Sequence, residues 1–527
     1  MLRGTVTPLG PCLAPSPSLH RPIRAAQPTR CTSTPVQPAQ DIVQTKHRRR
    51  HTRGGNLSVE DLPLPTGDWT ARIPVVGETF HYINDAADWC NSRVGRHGPV
   101  FKTSLFGYDG YCISSFDLIE EVYEGIHHST VQFQLDAFQE LMAGPLTQMT
   151  YEKDAHVKIR RQFGSALSVD AVATYLPAIE NLARTYTAKW AKQDTIDLEL
   201  AIRDITMDFS SDLVVGLGLD QARKADLKHH FSNFTKNLNT FNVDLPGTPL
   251  RTAKNAKREV LAAIRDEVIS VREKALAGDF GDKGSRTTLQ NYIQGKLRDY
   301  NEVDEIDSLS IVVLNLLVAG YDTSAWSMLS LFAFVLQAPQ RIRDKLKEEQ
   351  DAVVAKHGDK LDRYAMADMK YADAVVKEAL RLKGPVPLLM KRAKTDLALN
   401  GQRIPEGSVL FLSILTALHS DTQTIKDGPN KGAKVPRHMD IYDLEYSFKP
   451  ERWLDPATTP TNHGQFAGGM HSCLGAPLYT AEAKVLLAIL ARHYRFDLVS
   501  GPVQWQPAGT IRPLEPIEVR LRPLAAK

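Results

Sequence analysis

The chain has 527 residues, 43% of them hydrophobic and 24% charged, with a formal net charge of +3. That is ample material for a large core, and too small a positive balance to argue for nucleic acid as a partner. The five cysteines (Cys12, Cys31, Cys90, Cys112 and Cys473) are sparse and irregular, which excludes a disulfide framework and fits a reducing compartment.

Residues 1–55 stand apart. Positions 1–53 carry nine Lys or Arg, eight Pro and a single acid, Asp41. Such a segment buries too little apolar surface to fold. A basic, acid-poor, hydroxyl-bearing leader has the composition of a transit peptide, which is favoured over the alternative of a low-complexity tail or a mis-assigned start. The proline, serine and threonine content puts plastid ahead of mitochondrion, with cytosol as the remaining alternative. No run of about 18 apolar residues occurs there, so no N-terminal membrane anchor is expected. Residues 56–527 are then one large domain.

Leu62 to Gly77 reads as a rigid, proline-rich entry, and Gly98 to Gly107 as a turn followed by a strand. Tyr111 to Ser114 can pair with it as a hairpin. From about Phe116 to Gln350 apolar residues recur at helical spacing. One apolar stretch, Asp304 to Leu336, is long enough to span a bilayer, but Asn315 and Asp322 in its middle argue against that. It also holds Ala319-Gly320-Tyr321-Asp322-Thr323-Ser324. Mid-helix Gly320 costs stability relative to alanine and so needs a reason. An acid and a hydroxyl beside a local helix distortion can organise water in a dry pocket; a helix–helix contact with a polar patch is the alternative.

His156 and Arg160 lie one helical turn apart, and Glu378 and Arg381 three apart on one helical face. Strand-like runs return at 397–404, 409–415 and, with alternation, 503–521. Residues 420–447 are polar and turn-rich, and read as a surface loop. The pattern is mainly α with small β-sheets at the two ends of the chain.

The most informative stretch is Phe466-Ala467-Gly468-Gly469-Met470-His471-Ser472-Cys473-Leu474-Gly475. It sets one cysteine at the end of a glycine-softened loop, before an apolar helix starting at Ala476. Unpaired N–H groups at a helix start favour thiolate and should lower the thiol pKa. Gly468, Gly469 and Gly475 permit close approach of a flat ligand, and His471 can face it. One cysteine without a CxxC partner excludes a zinc knuckle or an iron–sulfur cluster. A single axial thiolate suits haem.

This segment resembles the haem-binding signature of the cytochrome P450 superfamily. The resemblance implies a single large α+β haem domain that binds haem b, with Cys473 as iron ligand and Phe466, Gly469, His471 and Gly475 around the cofactor. It implies a structural network of Glu378, Arg381 and Arg452, the last within Phe448-Lys449-Pro450-Glu451-Arg452-Trp453. It implies an oxygen groove at Ala319 and Gly320, proton delivery by Asp322 and Thr323, and a haem carboxylate held by His156 and Arg160. A further carboxylate ligand is normally arginine ten residues after Arg381. Here Lys391 holds that position with Arg392 next to it, and the two are not equivalent chemically.

The function implied is a haem-thiolate monooxygenase that uses O2 to hydroxylate or epoxidise a hydrophobic small molecule. Leu245-Pro246-Gly247-Thr248-Pro249, Gly77-Glu78-Thr79 and Phe101-Lys102-Thr103 resemble the sterol- and retinoid-oxidising branch, which suggests an isoprenoid substrate (sterol, retinoid or carotenoid-like). No flavin or nicotinamide fingerprint is present, so electrons come from a separate donor, a ferredoxin or a flavoprotein reductase. Lys153, Lys158, Arg161 and Lys484 form a candidate docking face, or are ordinary solvated charges; peripheral membrane contact is a further expectation. Two alternatives remain: a haem-thiolate isomerase or dehydratase of lipid hydroperoxides, and a non-catalytic haem binder.

Overall fold

A computed structural model describes residues 58–524 apart from 74–75, 125–128, 144–152, 239, 280–286, 415, 418–421, 425–433, 437–440, 457–463 and 507–511. The expected leader, 1–55, lies outside the described residues.

The chain enters through helices α1 (Thr79–Asn84) and α2 (Ala86–His97), then hairpin β1 (Val100–Leu105) and β2 (Tyr108–Ile113). Asp85 caps α2 by accepting from the Asp88 amide at 2.8 Å, and Gly98, at φ +84°, ends it. Helix α3 (Phe116–Glu124), strand β3 (Thr130–Gln132) and α4 (Asp136–Met142) follow. The helical body then begins with α5 (Lys153–Leu167), α6 (Val169–Trp190), strand β4 (Ile196–Asp197) and α7 (Leu198–Asp208). Helix α7 runs on as a π-turn, Phe209–Val215, that stops at left-handed Gly216.

Next come α8 (Gln221–Lys236), α9 (Pro249–Leu276), α10 (Thr288–Tyr300) and α11 (Ile306–Gln337). Thr248 caps α9 with Pro249 in its first turn, and a Thr287–Gln290 capping box opens α10. Helix α11 passes the length and hydropathy test for a membrane span. In the fold it is the core helix, packed against α4, α7, the π-turn, α9 and later elements. The remaining helices are α12 (Gln340–His357), α13 (Arg363–Asp368), α14 (Lys370–Lys383), α15 (Leu444–Ser447) and α16 (Ala476–His493).

The later strands are β5 (Leu389–Ala393), β6 (Leu397–Leu399), β7 (Gln402–Ile404), β8 (Val409–Leu412), β9 (Thr422–Thr424), β10 (Lys434–Pro436), β11 (Tyr494–Leu498) and β12 (Glu518–Pro523). They do not stay at their own end of the chain. The largest sheet has the order β1-β2-β8-β5-β3, and β8 runs parallel to β2. The interval read as a loop at 420–447 contains an antiparallel pair, β9–β10, and helix α15. Helices α11, α14 and α16 carry long runs of buried apolar residues, and α14 packs on both of the others.

Candidate functional site

Cys473 sits where the sequence places it, three residues before Ala476 and two before the N-cap Gly475. The loop returns on itself: the Cys473 amide donates to the Phe466 carbonyl at 2.8 Å. The amides of Gly475 and Ala476 donate to the sulfur. The residue is exposed to a water-sized sphere, yet protein surrounds the sulfur, so the thiol opens on a recess and not on bulk solvent. The expected fall in thiol pKa does not occur. Burial pushes the thiol up and outweighs the two amides and the Arg160 charge that hold it down. The helix start does not outweigh burial at this sulfur, and a bound metal cation would supply the charge that favours thiolate.

The loop glycines divide their work. Gly469 has φ +60°, and a Cβ there would lie 2.3 Å from the Tyr123 carbonyl oxygen. A Cβ on Gly468 would press on the Tyr123 ring at 3.1 Å. Both therefore seat the loop on α3. A Cβ on Gly475 would lie 3.7 Å from Cys473 Sγ. Phe466 is half-buried and meets Tyr479 edge-on, with ring centroids 6.1 Å apart.

Helix α5 supplies His156 and Arg160. The His156 ring stacks on His471 at 4.3 Å. Arg160 donates to the Ser472 carbonyl at 2.6 Å and reaches the Ser472 hydroxyl at 3.3 Å. Strand alternation settles Lys391 against Arg392. Lys391 is buried at 2% exposure and its charge is felt by His156. Arg392 turns to the other face of the sheet, where its guanidinium lies 4.5 Å from the Phe133 ring centroid. Arg392 thus lies on the face of β5 opposite Lys391.

Burial lowers the His156 pKa, and Arg160 and Lys391 lower it further, so the imidazole favours its neutral form. Burial alone brings Lys391 down to about 8. Its Nζ is buried with no hydrogen bond among the described residues. A recessed thiol beside the cations Arg160 and Lys391 and the His156 ring fits haem b: Cys473 would hold the iron, and the three side chains would hold its carboxylates.

Behind the loop, Glu378 is fully buried. It receives Arg381 at 2.9 Å through both Nε and NH2, and Arg452 Nε at 2.9 Å. The Lys449 amide at 3.0 Å and the Trp453 indole N–H at 2.9 Å complete the shell. Burial pushes this carboxyl up, and Arg381, Arg452 and the Lys449 amide more than reverse it. Trp453 was legible only as a neighbour of Arg452 in the motif.

On α11, Ala319 and Thr323 are exposed in a helix otherwise flanked by buried residues. They lie one turn apart and so share a face. The Thr323 hydroxyl donates to the Ala319 carbonyl at 2.6 Å. The helix stays α-helical through this turn, so the expected distortion is absent. Gly320 answers to packing, because a Cβ there would meet the Ser210 hydroxyl at 3.2 Å on the π-turn. Asp322 leans to α7, where Arg203 NH1 binds it at 3.2 Å. Arg203 is itself held by Glu199 at 2.9 Å and by the Trp326 ring, whose centroid is 4.5 Å away. No sequence motif pointed to Arg203.

The suggested basic docking face is not assembled from free charges. Lys484 is buried and donates to the Met366 carbonyl at 2.8 Å. Arg161 pairs with Asp299 at 3.0 Å, and Lys158 lies 4.9 Å from the Tyr300 ring centroid. The Lys153 side chain is outside the described residues.

The sequence profile described as Cytochrome P450 matches residues 68–424, well over half of the chain. Cytochrome P450 26B1 of Xenopus tropicalis is 25% identical over 470 residues, covering 87% of this chain and 86% of its own. Putative cytochrome P450 120 of Synechocystis sp. is 25% identical and covers 89% and 98%. Among solved structures, retinoic acid bound cyanobacterial CYP120A1 aligns with a TM-score of 0.73 at 25% identity, over 88% of this chain and 100% of its own. With its fold, its recessed cysteine and these relatives, the chain belongs to the cytochrome P450 family: it is a haem-thiolate monooxygenase.

Proposed function

We propose that this protein oxygenates a long isoprenoid of retinoid, carotenoid-product or sterol type, and that Cys473 is its iron ligand. When bound, haem iron activates O2, so that one atom enters a C–H or C=C bond and the other leaves as water, with two electrons and two protons consumed.

The chain's own residues hold and gate this chemistry. The Gly475 and Ala476 amides orient the sulfur, and Arg160 pins the loop at Ser472. Lys391, His156 and Arg160 take the cofactor's carboxylates. Ala319 and Thr323 present a small, hydroxyl-bearing face of α11. Thr323 passes a proton inward from Asp322, which Arg203 holds at the α7 side. Glu378, Arg381 and Arg452 keep the loop in place and carry no chemistry.

The recessed thiol with its two amide donors carries the assignment. The isoprenoid class is supported by the retinoic acid bound to the aligned CYP120A1 and by exposed Phe241, Val243 and Leu245 before α9. Plastid targeting rests on the composition of residues 1–55 and makes a ferredoxin the expected donor. The uninterrupted cysteine loop and the Asp322–Thr323 pair disfavour a hydroperoxide isomerase.

The test is the visible spectrum of the ferrous protein under carbon monoxide, for wild type and Cys473→Ala. A strongly red-shifted Soret band lost in the variant supports the thiolate reading. A histidine-type spectrum unchanged by the substitution overturns it. A retinoid, sterol and carotenoid turnover screen with ferredoxin or a flavoprotein reductase then decides substrate and donor.

A further inference from the structure

Lys391 is an unusual residue to find in its place. Its ammonium is 2% exposed and has no hydrogen-bond partner among the described residues. The groups around it come from every neighbouring element. Tyr123 of α3 lies with its ring centroid 6.0 Å from Nζ, and its hydroxyl is likewise buried without a bond among the described residues. His156 and Arg160 come from α5, and His471 of the cysteine loop stacks behind His156. Along the sheet, Lys391 faces Gln132 of β3 on one side and Leu410 of β8 on the other, with Tyr111 of β2 beyond. None of these is an acid. A buried ammonium near Arg160, with no counter-charge among the described residues, awaits an anion.

We propose that Lys391 makes haem retention in this protein sensitive to alkaline pH, because the cation that grips a haem carboxylate is a titratable amine in the place of a permanently charged guanidinium. This rests on the haem-thiolate reading above.

Without an anion, burial holds Lys391 at about 8. A carboxylate against it favours the charged form and raises that value. A group whose pKa rises on binding takes up a proton with the ligand. Its contribution to affinity is therefore complete below about pH 8 and falls by up to about tenfold per pH unit above it. His156, which lies below its ordinary value, adds a separate step on the acid side. Arg160 stays charged throughout, and burial raises the Tyr123 hydroxyl far above this window. Ligation of Cys473 also exchanges a proton, equally in any variant that keeps the thiol, so a ratio between two such proteins cancels it.

The experiment follows haem transfer from the holoenzyme to excess apoglobin by absorbance, from pH 6.5 to 9.5, for wild type, Lys391→Arg and Lys391→Met. The wild-type rate divided by the Lys391→Arg rate should stay level to about pH 8 and then climb by roughly tenfold by pH 9.5. Lys391→Met should lose haem faster than wild type at pH 7 and lack the alkaline rise. Parallel profiles for wild type and Lys391→Arg overturn the proposal. So does a Lys391→Met protein that keeps both wild-type retention and the alkaline limb, which decides the matter if the arginine does not fit. Either result alongside an intact thiolate spectrum sinks only this inference, whereas a spectrum without thiolate ligation sinks the underlying function.

Discussion

The imidazoles of His156 and His471 stack at 4.3 Å with their planes 26° apart. This contact ties α5 to the cysteine loop, and Arg160 on Ser472 repeats the tie one turn further along. The ring contact and the ion-binding residues thus belong to one device, in which the helix that offers charge also sets the height of the sulfur. Replacing His471 with alanine should leave the fold intact but loosen the loop, so that the isolated haem protein shows a mixture of thiolate and non-thiolate ferrous–CO bands.

Glu378 is a fully buried acid that receives both Arg381 and Arg452. Glu378→Gln removes the carboxylate that the two guanidinium groups share, and should cost about 3–5 kcal/mol, read by urea unfolding at pH 7. The sign with pH is fixed by its lowered folded pKa. Its stabilisation is present above the unfolded carboxyl value and is lost as pH falls through the lower folded one. The variant should therefore lose part of the wild-type acid limb. Trp453→Phe, which removes one N–H donor from the same carboxylate, should cost roughly 1–3 kcal/mol.

Glu482 works in the opposite sense. It is 3% exposed in the middle of α16, and burial pushes its carboxyl up to about 8. A carboxyl whose folded pKa is raised gives stability that is complete below the unfolded value and is lost as pH climbs towards 8. Glu482→Gln should raise stability at pH 8 by at least about 2 kcal/mol and flatten the decline from pH 5 to 8. An unchanged melting profile would refute this.

Gly469→Ala must place a Cβ 2.3 Å from the Tyr123 carbonyl oxygen at φ +60°. The clash adds to left-handed strain of about 1–2 kcal/mol, so the variant should melt lower and hold less haem per protein. Gly501→Ala, with nothing within 4 Å, should stay within about 0.5 kcal/mol of wild type.

Asp322→Asn should slow product formation roughly 100-fold while leaving substrate-induced spectral changes in place. Arg203→Lys should retain more activity than Arg203→Met, since the ammonium can still reach the acid but loses the stacked plane over Trp326. Equal losses in the two arginine variants would show that Arg203 serves packing alone.

Much of this was written in local sequence. Cys473, His471, His156, Arg160, Glu378, Arg381 and Arg452 each lie in a short pattern whose spacing fixes a helical face or a loop end. What could not be read depends on tertiary partners. Arg203 meets Asp322 from a helix more than a hundred residues earlier in the chain, and no spacing rule links them. Lys391 and Arg392 differ only in which side of β5 they occupy, and the sheet decides that. The thiol pKa went astray because burial, a property of the whole fold, outweighed the helix start. Gly320 and Gly469 signalled a need for space, but not that Ser210 and Tyr123 would fill it.

The parallel pairing of β2 with β8 also governs how the molecule is made. Gly110 meets Val409, roughly 300 residues later in the chain, so the pair closes a long loop and raises contact order. At about 5–20 residues per second, hairpin β1–β2 waits some 15–60 s on the ribosome with an open edge. The strand carrying Lys391 and the loop carrying Cys473 also emerge late, after α3 and α5, on which the loop packs. Cofactor capture is thereby placed near the end of synthesis, and cells short of haem should accumulate a nearly complete chain whose sheet edge invites chaperones or aggregation.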